Sequence, residues 1–335
     1  MTSLVTMTAL AVAGCAQGAP NPVGASGTSA RPSTAAPRTV SSSGPPAPLT
    51  GLPVASAKDA ARPAVALDVA GTNPQGLTAA DLVFEEATSP VRYIAVYQSR
   101  EATGVGPITS TQPTDRAALS VLHPLIGYNG AAAVYFITLL DKAKITDVSY
   151  SRHPSLYTSA AAGLTTSTRA ISGAASGASA PPPLFSYRGT GSAGGALAGS
   201  QARRSSVSVT IPGLGTQDWV FSQKADRWQL TSNGPKVQAA NLVIQMVPYK
   251  QITVSHRLGI VVPSAQVIGS GKAEVLSGST SGGSGGTFAT GTWSKPRIAD
   301  LTNYFDTSGA PMAFLPGPTW IILAPPATDV RTGGS

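Results

Sequence analysis

From residue 48 onward the apolar residues fall in short runs broken by Gly, Pro, Ser and Thr, and the period of the pattern changes along the chain. Residues 62–69 alternate as a half-buried strand does, and residues 91–97, rich in β-branched and aromatic side chains, predict a second strand. Residues 77–82 read as a short helix with Thr78 at its N-cap. Residues 113–119 suit a helix with Pro113 in the first turn, and residues 155–170 predict another. Beyond residue 205 the helical pattern disappears. Residues 207–211, 218–221, 227–230, 242–247 and 260–262 are spaced like strands of one antiparallel sheet, followed by strands over 287–293 and 319–323. The fold class expected is α+β: a mixed α/β N-terminal domain over 48–200 and a mostly antiparallel β C-terminal domain over 201–330.

Composition marks the joints. Residues from about 171 to 200 turn to Gly, Ser, Ala and Pro, including Pro181-Pro182-Pro183, and predict a linker; the run from Gly282 to Gly286 predicts a hairpin tip or insertion. Residues 16–47 are almost purely Ala, Gly, Pro, Ser and Thr, without an acid or an aromatic ring. Such a segment buries too little apolar surface to offset its ordering entropy, so a disordered tether is expected.

Residues 1–15 form an apolar stretch that narrows to small side chains at Cys15, the single cysteine of the chain. This is the pattern of a lipoprotein signal region with Cys15 as the lipidation site, since the thiol is alkylated and the peptide cut just before it. The stretch carries no charge, whereas a secretory signal opens with Lys or Arg, so the native start is expected upstream of Met1. An acylated cysteine forms no disulfide, and stability must come from packing. No other apolar run approaches the ~18–20 residues needed to span a bilayer. The expected location is extracytoplasmic, on the outer face of the cell membrane, attached through the N-terminal lipid.

The net charge is +8, with ten Lys or Arg against nine Asp or Glu over 48–200 and eleven against six over 201–335. The surplus in the second half suits anionic lipid or an anionic wall polymer, and the partner expected beyond the membrane is such a polymer or another envelope protein. Only Arg203-Arg204 is an adjacent basic pair, and no aromatic residues interleave with the cations, so no nucleic acid is expected as a partner.

Catalytic patterns are weak. His123, His153 and His256 lack the spacing of metal ligands, and neither a metal nor another cofactor is predicted. The one G-x-S-x-G match is the glycine run 282–286, without a strand before it and a helix after it. Gly269-Ser270-Gly271-Lys272 ends like a phosphate loop, but Ala273 and Gln266 replace required residues. The densest polar group is Asp81, Glu85 and Glu86 with Arg92; together with Arg116 and Arg152 these are the candidate ligand-binding residues. Glu85 and Glu86 are adjacent, so on a strand they face opposite ways.

Several segments resemble the YerB-like lipoproteins of Gram-positive bacteria in order: 62–66, Gln75-Gly76-Leu77 with 80–85, Arg92-Tyr93, Gly106-Pro107-Ile108, then 240–245, 291–295 and 315–321. The resemblance covers nearly everything from Pro48 to about Val330 and implies two domains and an envelope location, without a reaction. Where the family tends to carry arginines in G-P-V-R-S-x-R, this chain has Thr109 and Gln112; where it tends toward P-H-N-L-Y, it reads His153-Pro154-Ser155-Leu156-Tyr157. Neutral groups cannot supply the charge-assisted bonds of arginine. A non-catalytic binding or accessory factor is therefore expected. The alternatives are an envelope hydrolase or transferase acting on peptidoglycan or glycan through Glu85 or Glu86 and His123 or His153, and a purely structural spacer.

Overall fold

The computed structural model describes residues 44–71, 73–174, 178–188, 202–232, 234–255, 257–278 and 285–334. All of them belong to the compact unit Ser42–Ser335. Cys15, His256, nearly all of the predicted tether and residues 282–284 of the glycine run lie outside the described residues, while Gly286 opens the strand Gly286–Lys295. Gly44–Ala47, assigned to the tether by composition, is part of the packed body: Pro46 bridges Pro53 and Ala47 is fully buried.

Strands far outnumber helices, in mixed and antiparallel sheets. The N-terminal half supplies β1 (Val65–Ala70), β2 (Leu82–Glu86), β3 (Arg92–Tyr97) and β4 (Leu125–Gly127). β3 pairs antiparallel with both β1 and β2, while β4 lies parallel to β1. The strand Thr319–Ala324 then lies parallel to β2 on one side and to Asn241–Met246 on the other, so one eleven-stranded sheet runs through both halves of the chain. Every residue of Thr319–Ala324 is buried. Its unbroken apolar run suits a central strand covered on both faces.

The period of two sorts side chains to the faces. Val83, Tyr93, Trp320 and Ile322 join one core, closed by the antiparallel five-stranded sheet through Val207, Trp219 and Trp228. Leu82, Phe84, Ile94 and Ile321 join the other, closed by the helix Pro113–Leu119 and the helix Val134–Lys142.

Four sequence expectations are corrected. Residues 77–82 are a single 3-10 turn, Leu77–Ala79, entered from Gly76 at φ 84° rather than capped by Thr78, because β2 claims Leu82. Residues 155–170 form the hairpin Tyr157–Ala160 and Gly163–Thr166, and the helix starts only at Thr168, capped by Ser167. The β-branched run Thr165–Thr166 favours the ladder. The second-half strands do not make one sheet, since Asn241–Met246 leaves its sequence neighbours for the large sheet and Tyr249–Ser255 pairs with Ile260–Ala265 alone. The predicted linker is partly core: Leu184 and Phe185 are buried, and Phe185 stacks on Phe314 at 4.3 Å between centroids.

Candidate functional site

The pleat of β1, β2 and β3 places Asp68, Glu86 and Arg92 on the face under the helix Pro113–Leu119, whose first turn adds Asp115. Arg92 Nη2 lies 2.7 Å from Asp68 Oδ1 and 2.6 Å from Asp115 Oδ1, and Nη1 donates to Glu86 Oε2. Asp115 also accepts from the Thr111 hydroxyl at 2.6 Å and the Gln112 amide at 2.7 Å, which caps the helix. Burial pushes the Asp68 carboxyl well above the usual range and raises that of Glu86, with Arg92 opposing both shifts. Burial works against the Arg92 charge too, but Asp115, Asp68 and Glu86 outweigh it and hold the proton more firmly than usual. All four side chains are sealed from solvent. One cation among three enclosed acids is a structural network that ties strands to helix.

Glu85 points to the opposite face. It accepts from Trp320 Nε1 at 2.7 Å and from Gln217 of the smaller sheet. Burial raises its carboxyl to about 6, while the Gln217 and Trp320 bonds work against the shift. The folded state thus holds the proton more tightly than the unfolded chain, and ionising Glu85 costs stability as pH rises from the ordinary carboxylate range through 6, roughly 2 kcal/mol by linkage. In Glu85→Gln, where Gln217 can turn its amide to match, the fall in stability between pH ~4.5 and ~7 is expected to shrink by about that amount. Urea midpoints across the range check this; identical slopes in the two proteins would assign the effect to another group.

Asp81 is spoken for as well, accepting from the Gln98 and Ser99 amides at 2.6 Å each and from the Ser99 hydroxyl at 2.5 Å. Arg152 pairs with Asp147 at 2.7 Å, beside the Tyr128 hydroxyl. Arg116 forms no ion pair among the described residues. The structure therefore joins only Glu86 and Arg92 of the predicted set, and Asp81, Glu85, Arg116 and Arg152 stand apart from them. His123, at φ 43°, and His153, ahead of a 3-10 turn, join none of these acids.

The open surface lies elsewhere. Two cavities of about 620 and 340 Å³ adjoin each other, sharing Thr78 and Gln238 as wall residues. The larger is formed mainly by residues 229–232 and 234–238, including the exposed Lys236; the smaller is lined by Thr50, Asp81, Ser99, Arg100, Arg227 and Pro318. Arg100 is also a wall of a third cavity of about 180 Å³. Arg227 donates to its neighbour's carbonyl, Asp226 O, at 2.9 Å, and Arg100 to Ala80 O at 3.2 Å. Neither closes an ion pair among the described residues. Burial lowers the Arg227 pKa, the Asp226 carboxylate offsets part of that, and the nearby Arg100 charge adds to the lowering. Gly317 makes room for this guanidinium: at φ +143°, a Cβ there would stand 3.2 Å from Arg227 Nη2 and 2.5 Å from Ala240 Cβ.

Residues 49–178 match the N-terminal domain, and residues 214–321 the C-terminal domain, of a family described as a protein of unknown function, DUF3048. The crystal structure of the YerB protein from Bacillus subtilis matches with a TM-score of 0.65 over 85% of this chain and 99% of that one, at 19% identity. The chain belongs to the YerB-like two-domain family. Comparison with curated proteins returns no match.

In YerB-like terms, the groove is built by both domains, with Thr50, Thr78 and Arg100 from the first and Arg227, Gln238 and Pro318 from the second. Thr109 and Gln112, the departures from the YerB-like pattern, lie over the Arg92 network: the Thr109 amide donates to Asp68 O at 2.8 Å, and the Gln112 amide caps with Asp115. Asp68, Asp115, Arg100, Arg227 and Lys236 escaped the sequence reading. Gly317 was the one signal available, a glycine between two prolines in a motif of the resemblance.

Proposed function

We propose that this chain is a lipid-anchored extracytoplasmic protein acting as a non-catalytic binding or accessory factor at the cell envelope, its α+β body carried on an N-terminal tether. The observation that supports this reading is the engagement of the acids. Glu86 is spent on Arg92, Glu85 on Trp320 and Gln217, and Asp81 on Gln98 and Ser99, all within the packed interior. A general acid must reach the proton it transfers. The polar side chains that wall the groove include the cations Arg100, Arg227 and Lys236 and the hydroxyls of Thr50, Thr78 and Ser99, which suit recognition.

Cys15→Ser in the full-length gene is expected to move the protein from the membrane fraction to the soluble extracytoplasmic one. Retention to the wild-type extent would remove the anchor from the proposal. Incubation with purified cell-wall material tests the second half: no turnover is expected. Turnover by the wild type that disappears in a folded Glu85→Gln, Glu86→Gln double variant would establish an enzyme instead.

A further inference from the structure

We propose that the groove between the two domains binds a phosphodiester polymer of the cell envelope, with Arg100 and Arg227 as its principal phosphate contacts and Lys236 as a further contact along the chain. The proposal deepens the binding-factor reading and rests on it for the compartment of the ligand.

Two guanidinium groups line one cavity without closing an ion pair among the described residues, and their like charges oppose each other. An anion seated between them relieves that repulsion and gains charge-assisted hydrogen bonds from two forks. Arg227 is held in place, half-buried, above a glycine that leaves space for no side chain of its own. A cation that is packed into a wall loses less side-chain entropy on binding than a free surface one.

The electrostatics of the wall favour an extended polyanion. Among the described residues that wall the two cavities, three are cations, Arg100, Arg227 and Lys236, and one is an acid, Asp81. Asp81 lines the smaller cavity, but its carboxylate is turned onto the Gln98 and Ser99 amides and the Ser99 hydroxyl, away from a ligand. The neighbouring cavities that share Thr78 and Gln238 form a path far larger than one small anion needs, with a cation in each. A tetrahedral phosphate also offers acceptors in more directions than a planar carboxylate. That suits donors on different walls: Arg100, Arg227 and the exposed hydroxyl of Thr78.

The test uses the full chain carrying Cys15→Ser, titrated calorimetrically with short poly(glycerol phosphate), inorganic phosphate, polyglutamate and a single-stranded oligonucleotide of matched charge. Saturable binding of poly(glycerol phosphate) is expected, weakening between roughly 50 and roughly 200 mM salt as counterion release requires. Arg100→Gln, at an exposed position, is expected to lose on the order of tenfold in affinity with an unchanged unfolding midpoint. Lys236→Gln should lose less and flatten the salt dependence, and Arg227→Lys, which keeps the charge but not the fork, should also weaken binding. Unchanged affinity in Arg100→Gln and Lys236→Gln would overturn the proposal. So would polyglutamate binding as tightly as the phosphate polymer, or inorganic phosphate binding as tightly per site. Tighter binding of the oligonucleotide, lost in the same variants, would reassign the groove to nucleic acid. None of these outcomes depends on membrane attachment, which the fractionation of Cys15→Ser reports separately.

Discussion

Arg92→Met is expected to cost on the order of 3 to 5 kcal/mol of stability, the range for removing one partner of a buried ion network. Its guanidinium lies against Asp68, Glu86 and Asp115, and all four groups are enclosed. Methionine fills much of the volume, so the loss reports mainly on three carboxylates left without a counter-charge. The pH dependence carries the signature. Asp68 and Glu86 already bind protons more tightly in the folded protein than in the unfolded chain, so their contribution to stability falls as pH rises from the ordinary carboxylate range through their raised values. Arg92 opposes both shifts, and without it they extend further upward. The variant's deficit should therefore be smaller near pH ~5 than near pH ~8, measured as urea midpoints at both. Adding Asp68→Asn and Glu86→Gln to Arg92→Met should recover part of the loss. A deficit independent of pH, unmoved by those two changes, would mean that packing rather than charge explains it.

Trp320→Ala is the second large effect, expected at roughly 3 to 5 kcal/mol as for other large aromatic deletions in cores. Trp320 is buried in the strand that joins the two halves of the sheet, edge-on to Tyr93 at 5.7 Å and to Trp219 at 5.8 Å between centroids. Removing it opens a cavity where the large sheet meets the smaller one. It also takes from Glu85 one of its two side-chain donors. Trp320→Phe separates the terms. That variant keeps an aromatic ring but not the indole N–H, and should lose about 1 to 3 kcal/mol, the cost of a buried acceptor deprived of its donor. It should also raise the Glu85 carboxyl further, since the lost bond favours the ionised form. Chemical denaturation, with the Glu85 titration followed by NMR, tests both variants. A Trp320→Ala protein as stable as the wild type would contradict the packing of the two sheets.

Much of the fold is legible locally. The strand of residues 91–97 and the helix of residues 113–119 follow from β-branched content and from a proline in a first turn, features of the chain within a few residues. The opposite facing of Glu85 and Glu86 follows from the pleat alone, and the structure sends one to Trp320 and the other to Arg92. The helix Val134–Lys142 was not legible, because Val-Tyr-Phe-Ile-Thr reads as strand until packing against the helix Pro113–Leu119 decides otherwise. Residues 155–170 went the other way, expected as helix but paired as a hairpin.

The site divides along the same line. The sequence by itself determined which residues are charged, which alternate, and that Glu85 and Glu86 face opposite ways on an extended segment, since side-chain chemistry and a period of two are properties of nearby residues. Only the tertiary structure decided that Arg92 also meets Asp68 and Asp115, and that Thr319–Ala324 crosses from the second half to lie beside β2. It likewise decided that Arg100 and Arg227, 127 positions apart in number, face one cavity. Those contacts depend on which strands choose each other as neighbours, and that choice is set by burial of whole sheet faces, a quantity that no local window of residues contains.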